Sequence, residues 1–338
     1  MRNSTAINFR RRFLKIASTT MALWGLGAVG AQSPSAKSDR DEAPEQLRIG
    51  YQKSAVNLVI LKQQGTLEKR FPNTKITWAE FPARPQLLEA LSVGSLEFGL
   101  TGDSPPVFAQ AAGKDLLYVA AEPPKPDSSA ILVRQDSSVR SLADLRGKKI
   151  ALQKGSSAHY LLVRAVEKAG LQWSDIQPIY LAPADARAAF ERKSVDAWAI
   201  WDPFYAAVEL AIKPRVLTTG RDLSSNNSFY LASRLFVTQH EASVLVLLQE
   251  LTRADSIAQN NRSEAIRLVS NFSGLDAGVV SLFIQRRPAS PVGPLSAATI
   301  SDQQPVADAF FKLGLIPRAV WVSAIVWRGS GSTVAQLR

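Results

Sequence analysis

The chain contains no cysteine and only two histidines, His159 and His240, in 338 residues. Without cysteine there can be no disulfide, no lipid anchor on a thiol, no thiol nucleophile and no thiolate metal site. Stability must come from the core alone. Two histidines far apart in sequence make a histidine metal cluster or a Ser-His-Asp triad a poor expectation. No GxxxxGK[ST] phosphate loop occurs, and no spacing of carboxylates marks a general acid/base pair. Long apolar runs are also missing. Ile16 to Ala31 is weakly apolar, short, and too rich in Gly, Ala, Ser and Thr for a good membrane span.

Acidic residues are outnumbered, giving a formal net charge of +11. Much of that excess sits in the first 31 residues. Arg10 and Arg11 precede Phe13-Leu14-Lys15 and the weakly apolar run, an order that resembles a bacterial twin-arginine export signal. Phe9 stands where that pattern usually has Ser or Thr, and Val29 and Ala31 suit a peptidase site before Gln32. Removing 1–31 takes away Arg2, Arg10, Arg11, Arg12 and Lys15 and no acid, which lowers +11 to +6. Such a charge without basic runs gives no reason to expect nucleic acid as a partner. Residues 32–46 read as a polar, flexible leader, and 329–338 as a frayed tail.

Between these ends, short apolar strands alternate with amphipathic helical segments, which predicts an α/β fold with mainly parallel sheets. From residue 239 onward the pattern turns helical, at 241–259, 262–272, 276–286 and 297–314. These later helices have no strands of their own to cover, so they are expected to pack back on the first lobe. In parallel sheets, ligands collect beyond the carboxyl ends of strands. Four strand-to-helix turns carry unusual residues: "YQKSA" (51–55), "TGDSPP" (101–106), "QKGSS" (153–157) and "WDPFY" (201–205). Gly155, Ser156 and Ser157 open an amphipathic helix, whose free N–H groups suit an anion. Thr101 and Gly102 offer a hydroxyl and backbone donors in the same way. Plain helix capping would account for Asp103, Ser104 and Asp202, with prolines at the helix starts. Trp198 and Trp201 point to opposite faces if extended, so one can be core while the other covers an apolar ligand body.

Taken together, "RIGYQK" (48–53), "AEFPARPQLLEALSVGSLEFGLTGDSPPVFAQAAG" (79–113), "YVAAEPPKP" (118–126), "QKGSSAH" (153–159) and "PADARAAFERKSVDAWAIWDPFY" (183–205) resemble the periplasmic aliphatic-sulfonate-binding proteins of ABC importers. "SFYLAS" (228–233) and "IQRRP" (284–288) fit the same likeness, which covers roughly 47–318. The resemblance implies a type II-like periplasmic-binding-protein fold: two α/β lobes, a hinge of two crossing segments, and ligand in the cleft. Lobe I would comprise 47–135 plus 225–328 and lobe II 136–224, with the chain crossing near 133–137 and 222–228. Gln52, Thr101–Asp103, Gly155–Ser157 and the Trp201–Asp202 region would line the cleft, with Lys154 beside them. Ser54 and Ser104 stand where family members often have Gly and an apolar residue, and would add donors at the site. Lys193 replaces a common Gly, at a cost on the order of 1 kcal/mol if its φ is positive. "AVWVSAIVW" (319–327) is more apolar than this end of the chain requires, and is expected to bury against the first lobe.

A sulfonate is a monoanion with three acceptor oxygens, which hydroxyls and helix-start N–H groups can solvate without a full counter-charge. Asp103 and Asp202 would repel it at close range; capping, or an amine at the ligand's far end, suits them better. The implied role is a monomeric, cofactor-free periplasmic receptor that serves a permease and ATPase in sulfur acquisition. Taurine or another small oxyanion is the alternative ligand. Sulfinate desulfinases on the same fold are disfavoured, because the resemblance implies that they need a cysteine nucleophile.

Overall fold

The computed structural model describes residues 43–288 and 292–329. The expected export segment 1–31, the leader up to 42 and the tail from 330 lie outside the described residues. Ten strands form two five-stranded sheets. The first contains β1 (Gln46–Tyr51), β2 (Lys75–Glu80), β3 (Phe98–Gly102) and β4 (Leu116–Glu122). The second contains β5 (Ser129–Val133), β6 (Lys149–Leu152), β7 (Gln177–Tyr180), β8 (Ala197–Trp201) and β9 (Arg215–Thr219). The chain then returns, and β10 (Ser228–Ser233) completes the first sheet. The orders are β2-β1-β3-β10-β4 and β7-β6-β8-β5-β9.

Each sheet is parallel except for one strand. β10 runs antiparallel to β3 and β4, and β5 runs antiparallel to β8 and β9. Both exceptions are the strands that enter directly from the other sheet, so they run against the direction set by strand-helix-strand crossovers. β5 corrects the lobe boundary expected from sequence. It lies wholly in the second sheet, so the first crossing falls at 123–128 and not at 133–137. β10 ends at Ser233, whose hydroxyl accepts from Phe236 N–H and starts the helix Arg234–Gln239.

The first sheet is covered on both faces, as its near-continuous apolar strands require. Helices 56–64, 241–260, 262–273 and 277–285 bury Leu58, Leu247, Leu251 and Phe283 on one side. Helices 84–92, 104–111 and 297–312 bury Leu87, Val107, Val306 and Phe310 on the other. The late helices thus pack on the first sheet. Residues 319–327 do so as well: Val326 bridges Tyr118, and Trp327 N–H donates to the Tyr118 carbonyl at 2.9 Å, along the free edge of β4. The second sheet has its own core around Leu161, Phe190 and Trp198. Lys193 has φ 61°, a left-handed value that a glycine would take without strain. Among the described residues, no helix is long and apolar enough to cross a membrane.

The two crossings, 123–128 and 220–227, run side by side. Lys125 N–H donates to the Ser225 carbonyl and Gly220 N–H to the Pro126 carbonyl, each at 2.9 Å. The Asn226 amide donates to the Lys125 carbonyl, also at 2.9 Å. A Cβ on Gly220 would lie 2.6 Å from the Pro126 oxygen and 2.9 Å from the Ser224 oxygen. Backbone cannot yield there as a flexible side chain can. Gly220→Ala is therefore expected to destabilise the protein by about 1–3 kcal/mol, the usual cost of overpacking, read as a lower urea midpoint; an unchanged midpoint would show that the crossing gives way.

Candidate functional site

The carboxyl ends of β1, β2, β3 and β4 face those of β6 and β8 across the crossings. The two antiparallel strands bring their first residues to the same place: Ser228 pairs with Gly102 and Glu122, and Ser129 pairs with Trp201. A cavity between the sheets is lined by Arg84, Lys125, Trp201, Asp202, Asn226 and Ser228, among others. It leaves about 30 Å³ free, room for a water or two. A ligand can enter only if the lobes part.

Arg84 opens the helix that follows β2 and is 8% exposed. Its Nε donates to Gln52 Oε1 at 3.1 Å, and no carboxylate among the described residues forms an ion pair with it. Burial lowers its pKa; the charges of Asp103 and Glu122 oppose that shift. Gly102 shows where the guanidinium points. A Cβ there would come within 2.6 Å of Arg84 Nη1 and 2.3 Å of Ser157 Oγ. Only glycine lets a donor from each lobe meet over the end of β3. Sequence reasoning missed Arg84, although "EFPARPQ" (80–86) is a fifth strand-to-helix turn of the kind singled out elsewhere.

The Gly155–Ser157 turn is less generous than its sequence suggests. Gly155 N–H donates to His159 Nδ1 at 3.2 Å. Ser156 gives both its N–H, at 3.3 Å, and its hydroxyl, at 2.8 Å, to the Gln153 carbonyl. Of the turn's two serines only Ser157 keeps its buried hydroxyl out of the turn, directed at the end of β3 and beside Asp103. Lys154 is exposed and lies over the Tyr180 ring, 5.6 Å from its centroid, away from the cavity. Ser54 is half-buried and lines the cavity.

Capping does not explain Asp103 and Ser104. Neither side chain accepts a helix N–H; instead Ser104 Oγ donates to Asp103 Oδ1 at 2.9 Å. Burial raises the Asp103 pKa, while the adjacent Ser157 and Ser104 hydroxyls and Arg84 pull it down. Asp202 does cap, with Oδ1 accepting from Ala206 N–H at 3.0 Å and from Arg286 Nη1 at 2.9 Å. Its peptide bond to Pro203 is cis, and Pro203 precedes the helix Phe204–Ile212 and is not in its first turn. Burial pushes the Asp202 carboxyl up to about 7, against the pull of Arg286. Trp198 is core, and Trp201 is the wall of the cavity.

The cavity floor is a buried ionic cluster. Glu122 accepts from Lys125 Nζ at 2.7 Å and Tyr230 OH at 2.8 Å, and lies 3.4 Å from Arg287 Nη1. Arg287 also holds Asp255 at 3.0 Å. Although burial works against the Glu122 charge, Arg287 and Lys125 hold the carboxyl far below the usual carboxylate range. Burial brings Lys125 down to about 8. The cavity is otherwise rich in unsatisfied groups. In its lining Ser228 Oγ and Trp201 Nε1 are buried without a partner, as are Thr101 Oγ1, Ser129 Oγ and Ser157 Oγ at the neighbouring strand and helix ends. Each would cost about 1–3 kcal/mol if left so, so their concentration at one place marks a ligand site.

This geometry has known counterparts. The profile of the family described as NMT1/THI5 like matches residues 80–265. A curated aliphatic sulfonates-binding protein of Escherichia coli is 47% identical over 308 residues, covering 91% of this chain and 95% of that one. The chain belongs to the aliphatic-sulfonate-binding protein family. Its fold superposes on the crystal structure of the periplasmic aliphatic sulphonate binding protein SsuA from Escherichia coli with a TM-score of 0.80, covering 85% of this chain and 94% of that one at 48% identity. It also superposes on the alkanesulfonate-binding protein SsuA from Xanthomonas axonopodis pv. citri bound to MOPS, with a TM-score of 0.81 at 50% identity, covering 85% and 100%. The desulfurization enzyme DSZB, at 15% identity and a TM-score of 0.63, shares the fold alone.

In this member of the family His159 is wholly buried, between the rings of Trp173, Tyr180 and Phe310. Burial, with Lys154 nearby, lowers its pKa from 6.5 to about 4. As pH falls below 6.5 the unfolded chain binds a proton that the folded one refuses until about 4. Stability is therefore lost through that window, by about 3 kcal/mol in all. His159→Asn keeps an acceptor for Gly155 N–H but cannot titrate. The stability advantage of wild type over this variant should thus shrink between pH 7 and 4.5 in urea denaturation; a constant difference would place the proton elsewhere.

Proposed function

We propose that this protein captures aliphatic sulfonates between its two lobes, in the periplasm, and delivers them to the permease and ATPase of an ABC importer. Its relatives are periplasmic sulfonate-binding proteins, and twin-arginine export would explain the residues before position 32. The observation that carries the ligand reading is Arg84, a buried guanidinium that no described carboxylate pairs and whose Nη1, like Ser157 Oγ, lies over Gly102. A sulfonate there gains one full counter-charge from the first lobe and a hydroxyl from the second. Thr101, Ser129 and Ser228 supply further hydroxyls, and Trp201 covers the carbon chain. The expectation that hydroxyls and helix N–H groups suffice without a counter-charge is given up.

Capture follows from the hinge. With the lobes apart, Arg84 and Ser157 are separate weak sites; closing brings both to one anion and excludes water, which strengthens each contact. The closed form is the one a permease can recognise. The cavity offers nothing suited to turnover: the thiol is missing from the whole chain, and His159 spends Nδ1 on Gly155. We assign the protein binding without catalysis, as a monomer.

The test is a thermal-shift and calorimetry screen against alkanesulfonates, taurine, sulfate, nitrate and phosphate. A true ligand at 100 times its Kd adds about 2.7 kcal/mol of stability. Arg84→Gln should weaken sulfonate binding about 100-fold, as loss of a buried charged partner does, and Ser157→Asp should abolish it. Ser156→Asp is expected to act on the turn and not on the ligand, since Ser156 already serves Gln153. No response to any sulfonate, with a response to nitrate or phosphate, would overturn the assignment.

A further inference from the structure

Two consecutive arginines after the helix Ala277–Gln285 turn in opposite directions. Arg287 goes to the first lobe, into the cluster with Glu122 and Asp255. Arg286 crosses to the second. Its Nη1 donates to Asp202 Oδ1 at 2.9 Å, its Nη2 to the Glu209 carboxylate, and its guanidinium lies 3.8 Å from the centroid of the Tyr205 ring. The side chain is only 12% exposed.

The surroundings give this crossing its meaning. The helix that carries Arg286 is built into the first core through Val280, Phe283 and Ile284. Asp202 directly follows β8, and Tyr205 and Val208 belong to the second core, while Ala206 touches the first. Asp202 N–H donates to the carbonyl of Ser128, the last residue of the first crossing, at 2.9 Å. Asp202 also lines the cavity and directly follows Trp201, its aromatic wall. One guanidinium from the first lobe thus grips the point where the second lobe meets both hinge and ligand.

We infer that Arg286 is a positioning residue that fixes the hinge angle at which the Trp201–Asp202 wall closes on a bound sulfonate; this rests on the sulfonate-capture reading above. Without Arg286 the Asp202 carboxyl, which burial already raises, loses the cation that favours its charge, and Glu209 loses its partner on the first lobe. With both bonds gone, the second lobe loses its fixed angle. Arg287 is untouched by that loss and keeps the floor of the cavity in place. The anchor that the sulfonate head touches, Arg84, lies on a different element, so the effect should fall on retention of ligand and not on recognition.

The experiment uses the absence of native cysteine. Single cysteines at the exposed positions Asn73 and Lys168, one on each lobe, carry spin labels for distance measurement. Arg286→Gln should broaden the interlobe distance distribution of the ligand-free protein. It should also raise the dissociation rate of an alkanesulfonate about tenfold, with the association rate within about threefold. Arg286→Lys, which replaces a fork by a point charge, should recover part of both effects. Glu209→Gln, on the outer half of the contact, should shift both in the same direction by a smaller factor. Unchanged distances and dissociation would overturn the inference, as would a lower melting temperature with the distance distribution intact. If wild type binds no sulfonate, the capture reading fails, while the label distances still decide the role of Arg286 at the hinge.

Discussion

Glu122 is the charge on which the cleft depends. It ends β4 just before the chain leaves the first sheet, and it gathers Lys125 from the crossing, Tyr230 from β10 and Arg287 from just after the helix Ala277–Gln285. A buried carboxylate is tolerated only when paired and hydrogen-bonded, and here every partner comes from a different part of the chain. Removing it would leave Lys125 and Arg287 as two buried cations on one hinge. The cluster therefore does more than add stability. It fixes the first crossing against the sheet, and so fixes the surface from which the second lobe swings.

Set against that satisfied cluster, the rest of the cavity and the strand and helix ends beside it are incomplete. Arg84 has one neutral partner, four hydroxyls and an indole N–H have none, and they come from both sheets. Closing the lobes on nothing leaves those groups dry and unpaired. Closing on a polyvalent acceptor pairs them at once. The difference between those two closed states is the driving force for ligand-dependent closure, since a ligand can shift a conformational equilibrium only by its differential affinity. The antiparallel strands contribute to this directly. Because β5 and β10 enter from the crossings, Ser129 and Ser228 are delivered to the cleft by the hinge itself.

Much of this was legible in the sequence because it is local. Strand alternation, turn composition and helix periodicity gave the α/β architecture and four of the turns at the cleft. The long runs in family order gave the family. What escaped was set by tertiary packing. Nothing in "QKGSSAHYL" (153–161) reveals that His159 will take the Gly155 N–H, or that Ser156 will fold back on Gln153 and leave Ser157 alone to face the cleft. β5 was placed in the wrong lobe because an apolar pentapeptide does not state which sheet it joins. Arg84 was passed over because an arginine before proline at a helix start looks like surface. Its burial follows only from the approach of β3, whose Gly102 leaves the space that the guanidinium and Ser157 fill.

Charge decides what the cavity can prefer among small anions. Lys125 and Arg287 are already committed to Glu122 and Asp255, so Arg84 is the one cation lining the cavity that no described carboxylate pairs. One uncommitted cation matches one negative charge. A second charge on the ligand would find no partner and would face Asp202, whose remaining oxygen is unpartnered, and Asp103 beside Ser157. Burial has already raised both carboxyls, so each must take up a proton or repel a nearby anion, and that demand is greater for a dianion than for a monoanion. Shape then separates the monoanions: a sulfonate presents three oxygens on one face and a carbon on the other, matching hydroxyls around Gly102 on one side and Trp201 on the other.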